Sequence, residues 1–307
     1  MGISRQEALD CFNSDDLIGI GMEADAIRRR LHPEGVVSYT IDGRINYNAP
    51  IESIRRRIEQ TLEIGGTAIT LQGEVTPDHP IAWFEDLFRT LKTLHPNLHL
   101  HSLSASEVIA IATLSSLSLA DTLTRLQASG LDSIPGDDAG ILDEAVQNQN
   151  NRCTPNDWLT VHRTAHSLGI HTTATMTFGS GEAIQHRMNH LEAIHRLQEE
   201  TGGFAAFTPW SFQQQSSTMR GFEEATAVEY LKTLAISRMA LENIENIQSL
   251  PTQGLKVLQM GLRFGGNDVG SASLEETATE EQLRQVIRDA GFKPVQRDTL
   301  YRTMFLN

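Results

Sequence analysis

RINYNAPIESIRRRIEQTLEIGGTAITLQGEVTPD, residues 44–78, reads as strand, short turn, helix, strand and loop. Ile45 and Tyr47 end an extended run. Ile51, Ile54, Ile58, Leu62 and Ile64 recur at helical spacing, and Gly65-Gly66 stops that helix. Residues 67–71 (TAITL) form a compact strand of the buried type, with Gln72, Gly73 and Glu74 following its carboxyl end. Together these make a βαβ unit. Parallel strands of this kind bring their following loops, and the chemistry those loops carry, to one end of the sheet.

The alternation continues on both sides of this unit. Upstream, Ser4 with Glu7 three residues on is a capping box opening a first helix, and a second helix runs from about residue 15 to residue 31. Residues 36–40 are a strand, and Asp42-Gly43 after it is a turn signal. Downstream, helices are expected over 81–94, 105–114, 119–128, 139–147, 155–168, 182–200, 223–243 and 279–290. Strands are expected over 98–103, 131–136, 170–178, 204–210 and 293–296, and GLRFGGNDVGS (261–271) is a glycine-rich region. This order predicts an α/β fold, a (β/α) TIM-type barrel of six to eight parallel strands. Residues 1–35 form an N-terminal helical segment, and 36–307 a single barrel domain with a C-terminal α/β extension. A doubly wound dinucleotide-binding sheet lacks its usual signal, because no GxGxxG follows the first strand.

Composition narrows the partners. The net charge is −14, and the strongest basic cluster, Arg55-Arg56-Arg57, lies on a helix face, which argues against general nucleic-acid binding. The two cysteines, Cys11 and Cys153, exclude a disulfide framework and suit a reducing cytoplasm. No apolar run approaches the ~18 residues of a membrane span, so a cytoplasmic protein without membrane attachment is expected.

In a barrel, polar residues at strand ends converge on one mouth. Here these are Gln72 and Glu74; His99, His101, Ser102 and Ser104; Asp132, Ser133, Asp137 and Asp138; Thr175 and Thr177; and Trp210 and Gln213. Each has a plainer alternative. His99 and His101 share a face by their period-2 spacing. They suit hydrogen bonding or substrate contact better than a metal, since no third ligand accompanies them. Glu74 is a general base or an ordinary loop carboxylate, and Asp137-Asp138 open a helix where acidic residues favour the dipole. Trp210 stacks on a flat ligand or packs in the core.

The segments RINYN, GGTAITLQG, HLHSLSASE, SGLDSIPG, CTPNDW, TTATMTFG, ETGGFAAFTPWSFQ, ATAVEYLKTLAISR, RFGGNDVGS and GFKPVQRDTLY run in order through nearly the whole chain. In these the sequence resembles the dehypoxanthine futalosine cyclases, radical S-adenosylmethionine enzymes of the futalosine route to menaquinone. The resemblance implies a (β/α) barrel and a 5′-deoxyadenosyl radical made at a [4Fe-4S] cluster. It also implies cyclisation of a nucleoside derivative, so that the partner is a small nucleoside-type ligand. On this reading Gln72, Gly73, Ser102, Ser104, Asp132, Pro135 and Thr175 contact the cofactor, and His99, Trp210, Gln213, Asn267 and Asp268 the substrate. The family's cluster needs three thiolates spaced CxxxCxxC after the first barrel strand. Here RINYN runs straight into APIESIRRR, with no cysteine between Cys11 and Cys153. Other departures, Glu74, Asp137, Asp138, Gly140 and Ser180, fall at the same mouth, which favours divergence over an omitted loop. Three functions stay open. One is a cyclase-like barrel that accepts the ligand without cluster chemistry, and another a pseudoenzyme or scaffold. The third is a non-radical enzyme using Glu74, His101 and Asp137 for acid–base work.

Overall fold

The computed structural model describes residues 1–146, 153–212, 224–272 and 278–304. Two helices, α1 (Arg5–Asn13) and α2 (Leu17–Leu31), lead into β1 (Val36–Thr40) and β2 (Asp42–Asn46). Then follow α3 (Ile51–Glu63), β3 (Ala68–Gln72), α4 (Ile81–Leu94), β4 (His99–Leu100), α5 (Ala105–Leu114), α6 (Leu119–Ser129) and β5 (Ser133–Ile134). The second half holds α7 (Pro155–Ser167), β6 (His171–Phe178), α8 (Ile184–Thr201), β7 (Phe204–Ser211), α9 (Ala227–Ala240) and β8 (Asn246–Ile247). It ends with α10 (Leu255–Gly261), β9 (Asp268–Ser271), α11 (Glu280–Asp289) and β10 (Lys293–Gln296).

Every ladder between these strands is parallel. They fall into three sheets, β10-β1-β9, β2-β3-β4 and β5-β6-β7-β8. Single parallel bridges, His101 to Ser133 and Gln248 to Asp268, join the second sheet to the third and the third to the first. The chain itself passes directly from β1 into β2, so chain continuity links the first sheet to the second and the strands follow one another round the barrel, with β10 added beside β1. The expected barrel is the observed architecture.

Asp42-Gly43 does not turn. Both residues lie in β2 and pair with Ala68 and Ile69. The glycine is there for packing: a Cβ on Gly43 would sit 2.4 Å from Thr61 Oγ1 of α3, so its absence lets the helix close on the strand. Gly43→Ala is therefore expected to cost about 1–3 kcal/mol by overpacking, read as a lower urea midpoint at unchanged m-value; an unchanged midpoint would show that Thr61 simply rotates away.

The helix expected over 139–147 is also absent. Only a short 3₁₀ turn, Glu144–Val146, forms in its described part. Asp138 and Gly140 take positive φ of 66° and 51°, which right-handed helix does not allow. The amides that a helix would use are given to side chains, Leu142 N–H to His190 Nδ1 and Ala145 N–H to Asp143 Oδ1. The glycine-rich stretch proves structured, carrying the end of α10 and all of β9, and β8 is a further short strand the pattern did not mark.

Period-2 alternation sorts side chains inside and out. On β6, Ala174, Met176 and Phe178 are fully buried beneath the helices, while Thr173, Thr175 and Thr177 face the barrel interior. One large apolar cluster joins strands and helices, and it takes in Ala8, Phe12, Ile20 and Ala24 of α1 and α2, which pack on α8 and α9. A second, smaller cluster centred on Val37, Tyr39, Leu258, Val269, Leu283 and Ile287 seats α10 and α11 against β1 and β9.

Candidate active site

Two adjoining cavities occupy the barrel. The outer one, about 840 Å³, opens at the carboxyl ends of the strands and is lined by Gln72, Gly73, Glu74, Ser104, Pro135, Asp137, Asp138, Thr175, Thr177 and Trp210 among the expected residues. The inner one, about 300 Å³, shares Pro135, Asp137, Thr175 and Trp210 and adds His101. The outer cavity has mostly polar walls and the inner one mostly apolar walls set with Asp42, Arg44, His101, Asp137 and Arg297, where a TIM barrel ordinarily holds layers of Val, Ile and Leu.

Several lining residues escaped the sequence reading. β2 contributes Asp42, Arg44 and Asn46, and the next turn Asn48. Their signal was available: residues 42, 44, 46 and 48 alternate with Gly43, Ile45 and Tyr47, which is the inside–outside pattern of a barrel strand. The C-terminal segment was less legible. Arg297, Thr299 and Tyr301 reach the inner chamber from the amino-terminal end of the barrel, where Tyr301 also lines a separate lower cavity.

The mouth is braced around Glu107. Its carboxylate accepts from Tyr47 Oη at 2.6 Å, Gly73 N–H at 2.9 Å and Ser104 N–H at 2.7 Å, tying β2, β3 and α5 together. Burial pushes its pKa up, and those three donors pull it back. Glu74 is exposed at the rim, its backbone clasped by the Asn48 side chain through both N–H and C=O. Burial pushes the carboxyl of Asp137 upward, opposed by the Arg44 guanidinium and helped by Asp138. Asp138 accepts from Ser106 Oγ, and the Asp137 carbonyl accepts from Trp158 Nε1 at 3.1 Å. Arg44 lies over the Trp210 ring at 5.9 Å.

Six expected residues stand elsewhere, one of them Ser133, buried between His99 and His101 and lining neither cavity. Ser102 is fully buried and accepts from Leu71 N–H, so it pins two strands. Asp132 precedes β5, at the opposite end of the barrel from the mouth, and holds Lys92 Nζ and Leu100 N–H. Asn267 accepts from Arg238 and Ile247 N–H, and Asp268 is paired with Arg297; both are buried structural groups at the amino-terminal end of β9. His99 lies a layer below His101, bound to Ser133. Gln213 lies outside the described residues.

The matches to known proteins agree with this architecture. Residues 201–306 match a family model described as the CofH/MqnC C-terminal region. The cyclic dehypoxanthine futalosine synthase of Streptomyces coelicolor is 35% identical over 344 aligned positions, which take in 99% of this chain and 86% of that protein. The chain belongs to the CofH/MqnC family of radical S-adenosylmethionine enzymes. A protein of the same name from Halalkalibacterium halodurans is 35% identical over 97% of this chain and 90% of its own length. The 5-amino-6-(D-ribitylamino)uracil–L-tyrosine 4-hydroxyphenyl transferase of Methanococcoides burtonii is 36% identical over 84% of this chain and 79% of its own length. Solved structures of the same fold include HydG, a maturase of the [FeFe]-hydrogenase (TM-score 0.75, 14% identity, 98% of this chain and 74% of that one). Methylornithine synthase is another (TM-score 0.72, 14% identity, 95% and 94%). The 344 positions aligned with the Streptomyces protein exceed this chain's 307 residues, so at least 37 are gaps on this chain's side of that alignment.

The cluster the CofH/MqnC family implies does not fit the residues present. After β2 the chain reaches α3 through residues 47–50, which include no cysteine. Cys11 sits on α1, and Cys153 just before α7. Burial, with Asp138 and Asp157 nearby, pushes the Cys153 thiol up to about 12, and burial with Glu23, Asp10 and Glu7 raises that of Cys11. Two neutral thiols on separate elements do not make the three-thiolate set. Among the described residues no His, Cys, Asp and Glu side chains gather as a metal-binding group, and no single helix is long and apolar enough to cross a membrane.

Proposed function

We propose that this protein is a ligand-binding member of its family. It takes a small nucleoside-type molecule into the paired cavities and does not itself assemble a three-thiolate [4Fe-4S] cluster. The observation that carries the reading is the contrast at the mouth. An 840 Å³ cavity with Trp210, Gln72, Asp137 and Thr175 on its walls stands beside a four-residue β2–α3 connection, residues 47–50, without a thiol. Trp210 offers a flat ring, and Gln72 and His101 offer polar edges at two depths. Stacking of a base on an aromatic ring contributes about 1–3 kcal/mol.

Calorimetry with dehypoxanthine futalosine and with S-adenosylmethionine tests the pocket. We expect the futalosine derivative to bind and Trp210→Ala to weaken it by roughly 5- to 150-fold. No binding of either compound, or binding indifferent to Trp210→Ala, removes the case for an inherited pocket and leaves a scaffold role ahead. Anaerobic reconstitution with iron and sulfide is expected to give no [4Fe-4S] absorbance or reduced-state paramagnetic signal; a stoichiometric cluster would overturn the second half of the reading.

One observation favours a second reading, non-radical acid–base chemistry. Burial holds the cavity-facing carboxyl of Asp137 towards its neutral form, and a proton donor lining the same cavity as an exposed acidic side chain, Glu74, suits proton transfer. Turnover of bound ligand without iron, abolished in Asp137→Asn, would establish it.

A further inference from the structure

His99 and His101 are joined through one hydroxyl. Ser133 Oγ lies 2.9 Å from His99 Nε2 and 2.7 Å from His101 Nδ1. Ser133 is 2% exposed, so this hydroxyl is shut away from bulk water. The β4–β5 bridge, His101 to Ser133, sets the three side chains on the inner surface of the barrel, with His99 a layer below. His101 alone of the three lines the inner chamber.

A serine hydroxyl has one proton. With that proton given to one imidazole, the hydroxyl accepts from the other, and the three groups then have two arrangements. In one, His99 Nε2–H donates to Ser133, Ser133 donates to His101 Nδ1, and neutral His101 carries its proton on Nε2. In the other, both bonds are reversed: Ser133 donates to His99 Nε2, His101 Nδ1–H donates to Ser133, and His101 Nε2 is bare. We propose that His99 and Ser133 are positioning residues that decide whether His101 Nε2 offers the inner chamber a hydrogen-bond donor or an acceptor. This deepens the ligand-binding reading above, since it selects ligands by the polarity of the group that meets His101.

Protonation of His99 favours the first arrangement: imidazolium has no acceptor, so Ser133 accepts from His99 and its one proton is left for His101 Nδ1. The groups facing His99 are Asp132 from the start of β5, Lys92 from α4, and Asp298 and Arg302 from the C-terminal segment; those facing His101 are His99, Arg297 and Arg44. Burial lowers both histidines, but it keeps His101 neutral down to about 3, while Asp132 and Asp298 oppose the lowering at His99, so a proton added to the pair settles on His99. A proton taken up in the lower layer of the barrel is thereby read out as a change of acceptor to donor inside the chamber, with no net proton delivered there.

The test uses the intact chain without ligand. Long-range 1H–15N correlation of the imidazoles, recorded from about pH 8 to about pH 5, separates the two tautomers of neutral His101 from titration of His99. We expect His101 to move to the Nε2–H tautomer in step with His99, and the step to vanish in Ser133→Ala and in His99→Phe. A His101 tautomer that ignores pH in the wild type, or a step that survives in either variant, overturns the proposal. If Ser133→Ala does not fold, His99→Phe carries the same comparison. Because no ligand is present, failure here leaves the nucleoside-binding reading untouched.

Discussion

Asp268→Ala is expected to lower the unfolding free energy by about 3–5 kcal/mol, the cost of leaving a buried charge without its partner. Asp268 is fully buried and Arg297 is 3% exposed. Both Nε and Nη2 of Arg297 bond the carboxylate, the second at 2.9 Å, while Ser38 Oγ donates at 2.6 Å and Gly270 N–H at 2.8 Å. One carboxylate thus joins β1, β9 and the C-terminal segment, and Arg297 also stacks on Tyr301 at 3.7 Å. Urea denaturation reads the loss. Asp268→Leu combined with Arg297→Met should lose less than Asp268→Ala alone, since no charge is then stranded. A loss under about 1 kcal/mol for Asp268→Ala would mean that water or a neighbour replaces the carboxylate.

The second large effect is sensitivity to acid. Burial holds His101 and His190 at about 3, and His166 at about 4, where His171 and Arg163 add to burial. His162, tilted against Trp158 with ring centroids 3.8 Å apart, is pushed well below its ordinary value by burial and by His166. In the unfolded chain each binds a proton near pH 6.5, and in the folded chain it does not. Their contribution is therefore complete above about pH 6.5 and is lost as pH falls towards the folded values, at about 1.4 kcal/mol per pH unit for each histidine. The protein should weaken steeply between pH 6.5 and 5. His190→Gln should spare about 2 kcal/mol of that loss, since one fewer group takes up a proton on unfolding. Equal slopes for wild type and His190→Gln would show that His190 is charged in the fold.

The long alternating elements could be read from the sequence because their apolar periods are strong: α4 and α5 fall on the expected residues, and β6 and β7 within one. The failures have separate physical causes. Asp42-Gly43 carries the composition of a turn, but its glycine answers to Thr61 across the helix–strand contact, which no local pattern encodes. β8 and β9 are short and lie among polar and glycine residues, and their pairing comes from neighbours far along the chain. At the site, rim residues such as Gln72, Asp137, Thr175 and Trp210 were legible because they end strands. Ser102, Asp132, Asn267 and Asp268 share that polar appearance yet satisfy buried backbone and charge. The Ser133 link between the two histidines depends on β4–β5 register, which the sequence does not display.

The place of β1 in the ring bears on how the chain is made. Val36–Thr40 has β9 on one edge and β10 on the other, so both of its partners are translated more than 220 residues after it. At roughly 5–20 residues per second, a ribosome leaves both edges of this strand unpaired for about 10–50 s. The segment VVSYT is apolar and β-branched for most of its length, so during that interval it is an open template for pairing with another chain. Expression yield should therefore respond to chaperones that shield nascent chains and to slower, cooler synthesis more than to any change that strengthens the finished barrel.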